Sequence, residues 1–353
     1  MRVSNTFANY LIQKLSDWMI VVLAVSLILW LGFTLPVFTS SKQTSALTSV
    51  SEERLKETVA TLVNTYNPRT FQYDNLDYTT EYLRAQLSKL GNVYAQPFGA
   101  KGNMGKSYEN LILSLGPETE ELIVIGAHYD AENGSLDAEG NASGVAALLE
   151  LAHHLSKNEG KLNIKVQIVA YPISIVETKS LFSVIKTTGS NYHAKSLKKA
   201  GSKVKMMLSL DSVGRYNNEI GSQKYPHQFM HAFYPNQGDY ISVVGLMSES
   251  QSLLKVKKSF LGVSSLPMVS FNLPDNFVPT SSMDHLNYQK QGYPSMLITD
   301  TAKYRALDST KTSVVDQLDY EKMAELVTGL YKVVIDTHSL QRGVILASTE
   351  VEE

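Results

Sequence analysis

Three places in this sequence put ionisable side chains where a folded α/β protein does chemistry. The run Ile125-Gly126-Ala127-His128-Tyr129-Asp130 ends an apolar stretch in an imidazole and a carboxylate two residues apart. The loop Asp137-Ala138-Glu139-Gly140-Asn141-Ala142-Ser143-Gly144 is polar and glycine-containing and leads into an apolar stripe of helical period. Leu210-Asp211-Ser212-Val213-Gly214 ends another apolar run in a carboxylate. Taken singly, each has an ordinary explanation: a hydrogen-bonded pair, an anionic helix cap, a turn. Their order raises the expectation, because a histidine and well-separated acids make a donor set suited to zinc. The chain has no cysteine, so thiolate metal sites, disulfides and cysteine nucleophiles are excluded and any metal must be held by His, Asp or Glu.

The elements that must position these groups follow from hydrophobic period. Asn110 to Leu115, Glu121 to Ala127, Ile164 to Tyr171 and Lys205 to Leu210 are short runs of Val, Ile and Leu, as expected of strands covered on both faces. Tyr240 to Val244 and Ser295 to Thr299 read the same way. Helices are expected over Glu52 to Asn64, Asp77 to Leu90, Ala142 to Leu155 and Tyr320 to His338, where apolar residues recur on one face. The alternation predicts an α/β fold with a mostly parallel central sheet and helices on both faces, and a ligand site beyond the carboxyl ends of the strands.

The 353 residues carry 32 basic and 34 acidic side chains, for a net charge of -2, so nothing favours a nucleic-acid partner. Hydrophobic residues make up 43% and charged ones 19%, which excludes a disordered chain. From Met19 to Phe38 no charge occurs, and a helix of that length spans a hydrocarbon layer of about 30 Å. It is too long for the apolar part of a cleaved signal peptide. The expected organisation is an N-terminal flank (1–18), a transmembrane anchor (19–38), a Ser/Thr-rich stem (39–51), one α/β domain (52–342) and a tail (343–353). The expected location is a single-pass membrane protein with its globular domain outside the cytoplasm, binding a peptide substrate or a protein partner.

At this point the chain resembles the zinc aminopeptidases, a family that includes leucyl aminopeptidase, aminopeptidase Y and the glutaminyl cyclases. The resemblance covers Tyr108 to Val334 and is carried by GAHYD, NASGVAALLELA, LSLDSVG, the MDH at Met283 to His285, YPSMLITDTAKYR and LDYEKMAELVTGLY. It implies two zinc ions bridged by a carboxylate and a water, with adjacent glutamates supplying a general base and a ligand. Carried over, it makes His128 and Asp211 ligands of one metal and puts Glu139 at the bridging position, where an aspartate is usual. Asp130 would orient His128, and Asp284 and His285 would wall the site.

The rest of that pattern is degenerate. Only Glu177 is available where two glutamates are expected, so Thr178 stands at a lost position and Glu177 is the one candidate general base. The late histidine ligand falls at about Ser309, and no histidine occurs between His285 and His338. A hydroxyl is a poor zinc ligand. The expectation is therefore one zinc ion at most, held by His128, Glu139 and Asp211, or none. A pseudopeptidase or weakly active protein is preferred over a one-zinc aminopeptidase hydrolysing N-terminal peptide bonds, with a one-zinc transferase like glutaminyl cyclase third. Elsewhere, His227 and His231 stand four apart but lack the glutamate of an HExxH motif, the His153-His154 pair is expected to be solvated, and Ser143 has no GxSxG context.

Overall fold

The computed structural model describes residues 2–37, 50–70, 73–99, 108–131, 139–174, 187–275, 283–301, 304–305 and 313–349, with side chains described between 10 and 337. Eight strands form one sheet: β1 (Val93–Phe98), β2 (Tyr108–Leu115), β3 (Glu121–His128), β4 (Lys165–Tyr171), β5 (Lys203–Leu210), β6 (Ile241–Leu246), β7 (Met268–Leu273) and β8 (Ser295–Thr299). Their spatial order is β1-β2-β4-β3-β5-β8-β6-β7. The four central strands β4, β3, β5 and β8 run parallel. The sheet turns antiparallel on both sides of them, at β2 against β4 and β6 against β8, so it is mixed around a parallel centre.

Strand side chains alternate between two cores, which is why the central runs are mostly apolar. Ile123, Ile125, Val166, Ile168, Leu208 and Leu210 join the larger core with helices α2 (Glu52–Ala60), α3 (Asn75–Ser88), α4 (Ala142–Lys157), α6 (Ser250–Leu261) and α8 (Tyr320–Thr349). Leu122, Val124, Val169 and Met207 face the smaller core, with Ala194 and Leu197 of α5 (Gly189–Lys199) and Tyr288 of α7 (Asp284–Gln289). Helices therefore cover both faces, as the pattern predicts. Strands β1 and β7 and helices α5, α6 and α7 are not anticipated by that pattern.

The N-terminal helix α1 spans Arg2–Thr34. Its segment Tyr10–Thr34 is long and apolar enough to cross a membrane. The helix stops four residues short of Phe38, because Leu35 precedes a proline and has φ 40°, outside helical geometry. Its last carbonyls are taken up by the domain: Gly32 O accepts from Asn272 Nδ2 at 2.9 Å, Thr34 O from Lys257 Nζ at 2.8 Å and from Ser270 Oγ, and Leu35 O from Lys257 Nζ at 2.8 Å. These partners belong to β7 and α6, so the helix end is fastened to the sheet edge. Lys257 is buried, and burial pushes its ammonium down to about 8. The negative end of the α1 dipole stabilises that charge.

One polar tie joins the start of the domain to its core. Glu150 on α4 accepts Arg54 Nε at 2.9 Å, Arg54 Nη2 at 2.5 Å and the Ser51 N–H at 3.1 Å, with His154 Nε2 at 3.1 Å. His154 is thus buried against Glu150, not solvated as expected, because residues four apart share one helix face. Burial opposes the Glu150 charge, yet the bonds from His154, Arg54 and Ser51 hold its carboxyl down to about 2.

Replacing Glu150 by Ala should cost about 2 kcal/mol of unfolding free energy at neutral pH. The native pKa lies below the unfolded value of about 4.3, so this contribution is present above that pH and fades as pH falls toward 2. Urea unfolding of wild type and variant checks it: the two should converge in acid.

Candidate functional site

The carboxyl ends of the parallel strands carry the candidate groups. His128 is the last residue of β3, Asp211 follows β5, and Asp300 follows β8. His128 Nδ1 lies 3.1 Å from Asp130 Oδ1, and its Nε2 lies 3.6 Å from Asp211 Oδ1. Burial disfavours charge on this ring, but the hydrogen bonds and charges of Asp130 and Asp211 outweigh it and hold the imidazole well above its usual pKa. The Asp130 carboxylate is fixed on its other side by the Ser174 N–H and hydroxyl, each at 2.9 Å. Asp130 thus orients His128, the arrangement the resemblance implies for these two residues.

Glu139 is placed differently from a metal bridge. Its Oε2 accepts the Ser143 N–H at 2.9 Å and its Oε1 accepts the Ser143 hydroxyl at 2.9 Å. The carboxylate caps the first turn of α4, where unpaired N–H groups and the helix dipole favour an anion. It is fully buried, and the side chain that balances it is Arg69, also fully buried. Arg69 donates to the carbonyls of Tyr129 (2.7 Å), Leu62 (2.6 Å), Glu139 (2.8 Å) and Gly140 (2.7 Å), clasping the loop from both ends. Burial lowers its guanidinium pKa to about 10, with Asp130 and Glu139 opposing.

The backbone here is built around two left-handed residues, Gly140 at φ 52° and Asn141 at φ 57°. A Cβ on residue 140 would meet Ala131 Cβ at 2.0 Å, so only glycine fits and no carboxylate can project from it. Asn141 ties the strand ends together: its Nδ2 donates to His128 O and Leu210 O at 2.9 Å, and its Oδ1 accepts Ser212 N at 2.9 Å. The Ser143 hydroxyl accepts Val213 N at 2.9 Å. The Asn-Ala-Ser-Gly motif is therefore a clamp between β3, β5 and α4.

Asp284 and His285 open α7 and are buried beside this group. Burial raises the Asp284 carboxyl to about 6, with His128 opposing and Asp130 and Asp211 adding to the rise. Burial pushes His285 down to about 4. Glu177, Thr178 and Ser309 lie outside the described residues. Among the described residues, no three His, Asp or Glu side chains converge in a way that could hold a metal ion. His128 and Asp211 adjoin, but Glu139 does not complete the set. Catalytic zinc needs three protein ligands and a water, so the described donors do not fit the ion that the resemblance implies. His227 and His231 do not share a helix face either: His227 precedes a short 3₁₀ turn, Gln228–Ala232, and both are exposed.

Sequence reasoning missed Arg69, and it missed Arg305, whose guanidinium lies over the Tyr216 and Tyr240 rings and bonds to Gln223 Oε1 and to the carbonyls of Arg215 and Tyr240. Nothing in a lone arginine marks it as buried; only the folded packing does.

Residues 110–334 match the model of peptidase family M28. The chain belongs to that family. Its Escherichia coli (strain K12) relative YfbL, described as uncharacterized, is 37% identical over 292 residues, covering 79% of this chain and 86% of that one. Among solved structures, a leucine aminopeptidase precursor of Bacteroides thetaiotaomicron is similar at a TM-score of 0.57 and 16% identity, over 83% of this chain and 99% of the other. A glutaminyl cyclase of the same organism, bound to N-acetylhistamine, is similar at 0.56 and 16%, over 82% and 99%. At that identity the likeness shows the fold, and this one fold serves both a peptidase and a cyclase.

Ser143→Ala would remove the hydroxyl from both Glu139 and Val213 N, and should cost about 1 to 3 kcal/mol. Gly140→Ala should cost more, since it combines a left-handed φ with a clash against Ala131. Urea midpoints of the two variants test this ranking, and the reverse order would contradict the clamp.

Proposed function

We propose that this chain is a membrane-anchored M28 protein that keeps the peptidase fold and has lost peptide-bond hydrolysis, acting as a binding module. The observation that carries this reading is the position of Glu139: its carboxylate is committed to the α4 cap through both oxygens and does not stand with His128 and Asp211. A metal bridge needs one lone pair of each oxygen directed at a metal, whereas both Glu139 oxygens are directed at Ser143. Turning Glu139 outward would strip two hydrogen bonds from the helix start and remove one of the two carboxylates, with Asp130, that favour the buried Arg69 charge, a costly exchange. The hydroxyls expected at the lost ligand positions offer a metal little in return.

What remains at the strand ends is a partly buried acid and imidazole group, His128 with Asp130, Asp211 and the buried Asp284, which suits recognition of a polar ligand better than activation of water. Metal-dependent turnover needs a base and an electrophile together, and the described residues bring neither to the same point. The anchor reading rests on α1: an apolar segment of 25 residues whose sides are exposed except at the end seated on the domain. Such a surface is stable only in lipid or against a partner. We place the N-terminus inside and the domain outside the cytoplasm.

Full-length protein purified in detergent and supplied with excess zinc should retain less than one ion per chain and should hydrolyse no amino-acid amide faster than buffer does. Two zinc ions per chain with chelator-sensitive turnover would overturn the reading. For topology, protease added to intact cells or spheroplasts should digest the domain; full protection would reverse the orientation.

A further inference from the structure

The end of α1 does more than mark where an anchor stops. Because Gly32, Thr34 and Leu35 are fastened to β7 and α6, the surface around that junction must sit where the helix leaves a bilayer. Ile28 is 67% exposed and Leu31 43% exposed, so the apolar sides of the helix begin within a turn of the domain. One further element touches this junction. Tyr234 donates from its hydroxyl to Phe33 O at 3.3 Å, and its ring stacks on Phe271 of β7 at 4.3 Å between centroids.

Tyr234 closes an excursion that Tyr225 opens. The two rings lie 5.8 Å apart, and Tyr225 also packs on Phe271 and against His231. Between them the chain makes the short turn Gln228–Ala232, none of whose residues is buried. At its tip Phe229 is 65% exposed, with the His227 ring stacked on it at 5.7 Å. The stretch from Ile220 to Gly238 contains no acidic residue, although it holds Lys224, two histidines and four aromatic rings of Tyr or Phe. An exposed phenylalanine on a tyrosine-based, acid-free turn has the composition of a segment that rests in the headgroup region, where amphipathic rings are favoured and carboxylates are not.

We infer that the Tyr225–Tyr234 excursion is a second membrane contact, lying in the lipid headgroup layer beside the exit of α1 with the Phe229 ring directed toward the acyl chains. This rests on the reading of α1 as a membrane anchor. A single helix leaves its domain free to swivel about the helix axis; a second contact beside it stops that rotation. The strand-end site around His128 is then held at a fixed attitude to the bilayer, and its ligands must approach along that one direction.

The chain has two tryptophans, Trp18 and Trp30, both in α1, so its native tryptophan emission reports the anchor alone. In the triple variant Trp18→Phe, Trp30→Phe, Phe229→Trp the sole indole reports the excursion, at a position exposed enough to accept it. Both full-length proteins are reconstituted into vesicles of zwitterionic and anionic phospholipid, with or without bromine on the acyl chains near the glycerol. The expected result is that bromolipid removes about half of the emission of each protein, and that the triple variant's emission shifts to the blue and resists aqueous iodide, as a ring about 5 to 10 Å into the interface would. Native emission quenched by bromolipid, with the triple variant unquenched and open to iodide, would overturn the second contact while leaving the anchor intact. Native emission untouched by bromolipid would instead remove the anchor reading, and this inference with it. Circular dichroism matching wild type confirms that the triple variant is folded in either case.

Discussion

The architecture of the site depends on how the first turn of α4 is closed. A helix starting at the carboxyl edge of a parallel sheet exposes unpaired N–H groups beside strand ends that also need partners. Here Glu139, Asn141 and Ser143 meet both demands at once. Asn141 bonds the ends of β3 and β5, Ser143 joins Glu139 to the backbone after β5, and Glu139 caps the helix. Because the sheet, the helix and the loop share these few groups, the Glu139 carboxylate is part of the frame. Arg69 completes the arrangement by donating to the Glu139 and Gly140 carbonyls, which fixes the backbone that carries the carboxylate.

The same strand ends hold His128 between two carboxylates. Asp130 and Asp211 flank its two nitrogens, and Asp284 adds a further buried acid close by. The fold thus keeps Asn141 and Ser143, the residues that tie the strand ends together. Membership of family M28 accounts for that scaffold.

Much of the scaffold was legible in the sequence. The runs that became β3, β4 and β5 are mostly apolar because both faces are covered, and α4 announces itself by a stripe that continues from Val145 to Leu155. Strand β1 was hidden because it is an edge strand with a proline at position 97 and one solvated face, and β7 because Ser270 and Asn272 interrupt its apolar pattern. Those two polar residues turn inward to hold the end of α1, a role that no local pattern reveals. At the site, the histidine and aspartates at strand ends were read from position alone, since a strand end fixes where its next side chain points. Glu139 was not: two successive left-handed residues reverse the chain between it and the helix, and its direction follows from that reversal and not from its distance to Asn141. His154 was misjudged for a related reason, because its partners Glu150 and Arg54 come together only in the fold. Asp284 and His285 could be anticipated only as wall residues, since their burial depends on the packing of α7.

The proposed loss of hydrolysis turns on the direction of the Glu139 carboxylate. Crystals of the full chain grown with excess zinc, and measured on both sides of the zinc absorption edge, test it most directly. The prediction is a map without an anomalous peak between His128 and Asp211, and with Glu139 on the Ser143 amide and hydroxyl. A pair of strong peaks there, with the Glu139 carboxylate swung out of its cap to bridge them, would contradict it.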